Sequence, residues 1–180
     1  MNIPFGKLLV LIGTVIIVPL IAGLYGILHD QLTYSISAEY YTLFKFVQFR
    51  CYETGNHLPF PPRICVAYVG FMATWWTGLF IGPVLGMTGL VHKTPRVMLA
   101  ANAKAVMITL IVTLISGLTG LFYGWLVLAD RGVDWSLPAG LTDERHFIMV
   151  GSMHNFGYRG GVIGMTAGIL YHFRIKMKQL

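Results

Sequence analysis

The stretch LLVLIGTVIIVPLIAGLYGIL, residues Leu8–Leu28, decides the fold class of this chain. It contains no charged side chain, and an α-helix crosses a bilayer with about 20 consecutive, mostly apolar residues. Lys7 precedes it as in a signal peptide, but the run is longer than a usual signal-peptide core and lacks a small-residue cleavage pattern. We therefore expect a retained transmembrane helix.

Three more apolar runs follow along the chain. They cover Ile64–Val91, Ala105–Leu128 and Phe147–Phe173, and none alternates as barrel strands do. The sequence predicts an all-α membrane protein: one domain, residues 1–180, forming a bundle of four transmembrane helices. The first external loop, residues 29–63, is expected to be structured and rich in aromatic side chains.

Composition excludes an ordinary soluble domain. Only 11% of the 180 residues are charged and 56% are hydrophobic, whereas soluble domains carry about 25% charged residues. The net charge of +6 is scattered between apolar runs, so it does not indicate a nucleic-acid partner. The first expected partner is the lipid bilayer.

Basic residues outside the spans predict the orientation. Seven Lys and Arg lie in the N-terminus, the second loop and the C-terminus, without any acid. The first and third loops hold five, together with all seven acidic residues. By the positive-inside rule both termini face the cytoplasm.

The first external loop suggests two local structures. Leu32–Ser37 alternates apolar and polar residues, as an extended segment does. Ser37 is then expected to cap a helix over 38–49, with Tyr40, Phe44 and Val47 on one face.

Glycine spacing predicts close helix packing. Small residues at every fourth position form a groove that admits another helix backbone. The second and fourth spans carry such series, Gly78, Gly82 and Gly86, and Gly160, Gly164 and Gly168. No strand precedes these glycines, so they do not indicate a dinucleotide fold.

The fourth run contains an unusual concentration of polar residues. We expect a polar cluster at the external side, in which Arg159 pairs with Asp30 or Glu39; its other members are His154, Asn155 and Tyr158. In the alternative, the helix enters the membrane later, near Phe156, and Arg159 extends outward to the interface.

Histidines offer a second set of candidate groups. His29 and His154 lie towards the external side, and His92 and His172 towards the cytoplasmic side. Either pair is able to ligate haem b, and His29, Asp30, Glu39 and His154 suit copper, zinc or iron. No fixed metal-binding spacing is present, and boundary histidines are commonly hydrogen-bonded interfacial groups. The sequence therefore favours no cofactor, with haem b or a transition metal as the alternative.

The two cysteines share one predicted compartment. Cys51 lies in the first external loop and Cys65 at the external start of the second span. An oxidising compartment permits a disulfide between them, while apolar surroundings favour two buried thiols. Both possibilities remain open at this stage.

Three stretches resemble a group of short, uncharacterised bacterial membrane proteins with four predicted spans. They are HDQLTYSISAEYY (residues 29–41), ATWWTG (73–78) and GSMHNF (151–156). The resemblance implies a bacterial inner-membrane location and brings no catalytic residue with it.

The sequence favours a non-catalytic role. No nucleophile, base and orienting acid can be assembled from spacing, and the spans carry too few charges for a transport path. We expect an accessory or assembly subunit of a larger membrane complex, with other membrane subunits or a second copy as partners. The alternative is a membrane redox protein that binds haem or a metal through its histidines.

Overall fold

The computed structural model describes residues 3–52 and 58–178, and the regular structure within these ranges is entirely helical. Four long helices form the body: α1 (Phe5–Ile36), α3 (Pro62–Gly89), α4 (Pro95–Tyr123) and α6 (Glu144–Met177). Between α1 and α3, a π-helix (Tyr40–Lys45) leads into α2 (Phe46–Gln48). After α4, a second π-helix (Gly124–Leu128) leads into α5 (Ala129–Arg131).

Three helical stretches are long and apolar enough to cross a membrane: Phe5–Ile36, Pro62–Gly89 and Pro95–Arg131. Helix α6 has 34 residues and spans about 51 Å at 1.5 Å per residue. Its polar side chains, among them Ser152, His154 and Arg159, lower its hydropathy. The described chain thus has three candidate membrane spans and a fourth long helix of lower hydropathy.

The bundle consists of two closely packed helix pairs, and the first is α1 with α3. The two backbones meet at Gly26 and Gly70: a Cβ on Gly26 would overlap the carbonyl oxygen of Gly70, and the reverse also holds. Further along, Gly78 faces the backbone of Pro19, and Gly82 faces Thr14 and Val18. Gly86 meets the side chain of Leu11.

The second pair is α4 with α6. A Cβ on Gly164 would lie 2.8 Å from the Cα of Thr109, and one on Gly160 would meet Ser116 and Thr113. Gly168 faces Ala105 and Leu85. The structure therefore places all six glycines of the predicted series at contacts between helices, where a side chain would separate the backbones.

The chain termini share one end of the bundle. Near it, Nζ of Lys7 donates to the carbonyl of Leu90 at 3.2 Å, and His92 Nε2 lies 3.0 Å from His172 Nδ1. We call the opposite end the loop end; it contains residues 36–52, 58–61 and 132–143. The segments at this end are joined by hydrogen bonds from Thr142 and Asp143 to the Glu39 carboxylate.

The predicted extended segment at Leu32–Ser37 is wrong, because α1 continues as a helix to Ile36. The hydroxyls of Thr33 and Ser35 donate to carbonyls four residues earlier, at 3.1 Å each, so they are satisfied within the helix. The helix ends at Ser37, whose backbone is extended. Ser37 Oγ accepts from the N–H of Tyr40 at 3.3 Å, as expected of a capping residue.

The loop segment is helical over residues 38–48, close to the predicted 38–49, but the face through Tyr40, Phe44 and Val47 is not the buried one. In a π-helix, with its i→i+5 hydrogen bonds, residues five apart lie near one face. Accordingly the buried residues are Tyr40 with Lys45, and Tyr41 with Phe46. Phe44 and Val47, which belong to the predicted α-helical face, are 38% and 60% exposed.

Candidate metal centre

A cleft of about 480 Å³ lies between the two helix pairs. All four long helices line it, and most of its wall is apolar. Towards the loop end the wall changes character: Tyr25, His29 and Asp30 of α1 face His154 of α6 there. The cleft is therefore an apolar space with one polar end.

Three potential ligand groups meet at this polar end. His29 Nδ1 lies 3.1 Å from Asp30 Oδ1, and His154 Nε2 lies 3.9 Å from the same oxygen. The nitrogen and oxygen ligand atoms of the three residues all lie within 4.8 Å of one another. We refer to His29, Asp30 and His154 as the HDH cluster.

The HDH cluster is buried but incompletely satisfied. The side chains of His29, Asp30 and His154 are 8%, 1% and 7% exposed. Among the described residues, neither Asp30 Oδ2 nor His154 Nε2 has a hydrogen-bond partner. Burying a polar atom without a partner costs about 1–3 kcal/mol. The cluster therefore has buried polar atoms that are able to accept a ligand as their partner.

Aromatic residues of the loop end position the cluster. The Tyr40 ring stacks on the His154 imidazole, with centroids 5.0 Å apart and planes 12° apart. Tyr41 is fully buried, and its hydroxyl lies 2.6 Å from Thr33 Oγ1 on the helix that carries Asp30. The two tyrosines are adjacent in the π-helix, so this segment contacts both α1, through Thr33, and α6, through His154.

Lys45 is the buried cation of the same π-helix. Its ammonium lies 5.5 Å from the Phe49 ring centroid and 5.9 Å from the Tyr40 centroid. Burial lowers the pKa of Lys45, and the charge of Asp30 opposes this effect in part. Lys45 therefore places a cationic group near the HDH cluster, within the electrostatic reach of Asp30.

The spacing of the HDH cluster fits a metal ion. Bonds from zinc-type ions to imidazole nitrogen or carboxylate oxygen are about 2.0–2.2 Å, which places adjacent ligand atoms about 3–3.5 Å apart. The observed separations of 3.1 and 3.9 Å need only small side-chain movements to reach that range. Two imidazoles and one carboxylate are a ligand set of divalent first-row transition metals that leaves coordination positions open.

Comparison of the chain with protein-family models, curated proteins and solved structures found no match.

The structure brings together only part of the polar cluster expected from the sequence. Asp30, His154 and Tyr158 line the same cleft. Glu39 instead accepts from the loop residue Thr142, and Asn155 is exposed. Arg159 is exposed too, with its guanidinium 5.7 Å from the Phe156 ring centroid.

The expected ion pair of Arg159 with Asp30 or Glu39 is absent from the described residues. The physical reason is helix geometry, since five residues rotate the chain by about 140° between His154 and Arg159. His154 faces the cleft, so Arg159 faces the outside of the bundle. The alternative, in which the helix enters the membrane near Phe156 and Arg159 extends to the interface, stays a prediction.

The second histidine pair has a different geometry. His92 and His172 are fully buried at the termini end, and their ring nitrogens are 3.0 Å apart. Two nitrogens bound on opposite sides of one metal, each at about 2 Å, are about 4 Å apart. The direct hydrogen bond leaves no space for a haem iron between these two nitrogens. It instead joins the connection between α3 and α4, which contains His92, to α6.

The two cysteines are both free and buried. They belong to the apolar core beneath the loop end, with Tyr41, Phe46 and Phe147. Cys65 Sγ contacts the carbonyl oxygen of Phe60 at 3.5 Å. Of the two possibilities that the sequence left open, the structure contains the buried thiols.

Sequence reasoning missed two aromatic members of the site, Tyr25 and Tyr40, and the cleft itself. Tyr25 is four residues before His29, so a helical face through this span contains both. That spacing can be recognised in the sequence. The role of Tyr40 cannot be recognised there, because the orientation of its ring depends on the π-helix.

Proposed function

We propose that this chain is a metal-binding membrane protein whose HDH cluster holds one divalent transition ion. The observation that carries the proposal is the convergence of three ligand groups within 4.8 Å, two of them with buried atoms that lack a partner. A metal ion would give the Asp30 carboxylate and His154 Nε2 a common partner. It also compensates a carboxylate that is 1% exposed.

The ligand set narrows the class of ion. Imidazole and carboxylate suit Zn²⁺, Fe²⁺ and related ions, whereas Cu⁺ favours thiolate and thioether ligands. Haem b fits the pair His29 and His154 less well than a bare ion does. The Asp30 carboxylate lies within 4 Å of both ligand nitrogens, in the space where a porphyrin would lie between them. The open coordination positions face the cleft.

The proposed arrangement in the membrane has four spans. Helix α6 counts as the fourth because it packs along α4 through Gly160 and Gly164, and two of its polar residues, Ser152 and His154, are buried within the bundle. Such burial lets a helix of modest hydropathy cross a bilayer. The distribution of basic residues supports cytoplasmic termini, and the resemblance supports a bacterial inner membrane.

Cysteine labelling tests this topology. In a variant with Cys51 and Cys65 replaced by alanine, a cysteine at exposed Ser136 is expected to react with an impermeant reagent from outside. A cysteine at Lys178 reacts only after the membrane is opened. Labelling of Lys178→Cys in intact cells contradicts the orientation.

Metal analysis of the purified full-length chain tests the proposed function. We expect about one Zn or Fe per chain, and Asp30→Asn and His154→Gln remove proposed ligands, so each is expected to weaken metal binding by more than the roughly 10–100-fold that loss of a ligand-orienting group costs. His146→Gln is the matched control, because His146 pairs with Asp143 at 2.7 Å, outside the cleft. Melting of the metal-free proteins shows whether each variant folds. Equal metal content in folded wild type and Asp30→Asn overturns the proposal.

Membership of a larger complex as an accessory or assembly subunit stays a prediction. The metal centre lies inside one chain, so it does not depend on a partner. Native purification with mass spectrometry tests for co-purifying subunits or self-association.

A further inference from the structure

The cleft continues from the HDH cluster into the middle of the bundle, as far as Thr109 and Met165. Its volume of about 480 Å³ is within the usual range for small-molecule sites, about 300–1,000 Å³. A single metal ion with its water occupies only a small part of this volume. The remainder needs an occupant of another kind.

The cleft wall offers almost no free polar group beyond its polar end. Four threonines line it, but each hydroxyl donates to a backbone carbonyl, as the contacts of Thr74, Thr77, Thr109 and Thr113 show. These threonines therefore have no free hydroxyl proton to donate to an occupant. The unpartnered groups are Tyr25 Oη, Asp30 Oδ2 and His154 Nε2, all at the polar end. The occupant is thus an amphipathic molecule with its polar part at the HDH cluster.

The cleft opens sideways between α3 and α6. Trp76 and Phe80 of α3 line it and are also 44% and 67% exposed, and Tyr158 and Val162 of α6 are 40% and 61% exposed. These residues face both the cleft and the outside of the bundle, where lipid lies in the proposed membrane arrangement. A molecule dissolved in the bilayer can therefore enter without crossing water.

Two features select the head group. No lysine or arginine is among the described residues that line the cleft, which disfavours a phosphate head. The Trp76 and Tyr158 rings at the opening are nearly parallel, 28° between planes and 6.4 Å between centroids. An entering molecule with a flat ring therefore meets aromatic surface at the opening. A neutral flat ring with oxygen acceptors and a long apolar tail is a membrane quinone.

We propose that the cleft binds a membrane-dissolved quinone. Its ring lies near the polar end, with an oxygen towards Tyr25 and the metal, and its tail leaves between Phe80 and Val162. The inference deepens the proposed function, since it names the class of molecule that meets the metal centre.

The test changes the cleft and leaves the proposed metal ligands unchanged. A Cβ at Gly161 has only Thr113 Oγ1 nearby, at 3.9 Å, so Gly161→Leu fills the cleft without displacing backbone. Gly13→Leu is the matched control, because a Cβ there meets nothing within 4 Å and Gly13 does not line the cleft. Binding of ubiquinone-2 to the detergent-purified full-length chain is measured by saturable quenching of tryptophan fluorescence, with metal content and melting recorded on the same samples.

We expect saturable binding by wild type and by Gly13→Leu, and at least tenfold weaker binding by Gly161→Leu with unchanged metal content. Equal quenching of wild type and folded Gly161→Leu indicates partition into detergent and overturns the quinone site. Displacement of ubiquinone-2 by dioctanoylglycerol at equal concentration also overturns it, because the cleft then selects an acyl chain. Absence of quinone binding in a metal-loaded chain refutes this inference alone. Quinone binding by a chain without metal refutes the proposed function and leaves the quinone site standing.

Discussion

The imidazole of His154 lies parallel to the phenol ring of Tyr40, with 5.0 Å between centroids and 12° between planes. The first ring belongs to α6 and the second to the π-helix after α1, so the contact joins segments 114 residues apart. It fixes the orientation of an imidazole whose Nε2 is otherwise unpartnered among the described residues. The loop end therefore supports the HDH cluster.

The first prediction concerns this support. Tyr40→Leu is expected to weaken metal binding about 10-fold, because groups that orient a ligand contribute 10–100-fold to affinity. Tyr40→Phe keeps the ring and is the matched control, with affinity close to wild type. Isothermal titration with Zn²⁺ measures both. An unchanged affinity in folded Tyr40→Leu shows that the stacked ring does not position His154.

The second prediction concerns the α1–α3 contact. Gly70→Ala places a Cβ against the backbone of Gly26 and Ile27, which cannot yield as a flexible side chain does. Overpacking of this kind costs about 1–3 kcal/mol or more in the free energy of unfolding. Gly13→Ala has open space around its Cβ and is expected to be neutral or slightly stabilising. Thermal unfolding in detergent measures both, and equal midpoints contradict the packing argument.

The third prediction is a pH dependence at the loop end. The side-chain hydrogen bond from Thr142, with the backbone N–H of Asp143, lowers the pKa of Glu39 below its usual 4.5. A carboxyl with a lowered pKa in the folded state stabilises the fold above its unfolded pKa and loses that contribution as pH falls through the folded value. The melting midpoint of wild type should therefore fall more steeply below pH 4.5 than that of Glu39→Gln.

Glu144→Gln serves as the control for this titration, because Glu144 is also exposed and takes no part in the hydrogen bonds that join Glu39 to Thr142 and Asp143. It should keep the steep wild-type decline. If the melting midpoints of wild type and Glu39→Gln change in parallel between pH 6 and pH 3, the hydrogen bonds of Thr142 and Asp143 to Glu39 are not a source of stability.

The fourth prediction concerns the thiols. Burial raises the pKa of Cys51, which reduces its thiolate fraction and its reactivity. Without reductant, the folded chain is expected to resist maleimide at Cys51 and Cys65, and the denatured chain to take up two adducts. Mass spectrometry counts them. A denatured chain that gains adducts only after reduction contains a disulfide, contrary to the free thiols of the structure.

Much of the fold follows from local properties of the sequence. A run such as Leu8–Leu28 has a length and hydropathy that suit a helix in a bilayer whatever surrounds it. A glycine series such as Gly160, Gly164 and Gly168 marks one helix face by its period alone, and the structure places that face against α4. The loop was predictable only in part, since the cap at Ser37 is local whereas the choice of a π-helix depends on burying Tyr40 and Tyr41 together.

What the sequence by itself determined is the all-helical class, the position of the long apolar helices and the small-residue faces on which they pack. Each is a property of neighbouring residues. Only the tertiary structure decided that Asp30 meets His154, 124 residues away, and that Arg159 does not. That outcome depends on the rotation and height of α6 relative to α1, which the contacts between the two helix pairs and the loop-end aromatics set together. No period within a single helix contains this information, because a pairing between two helices is a property of both.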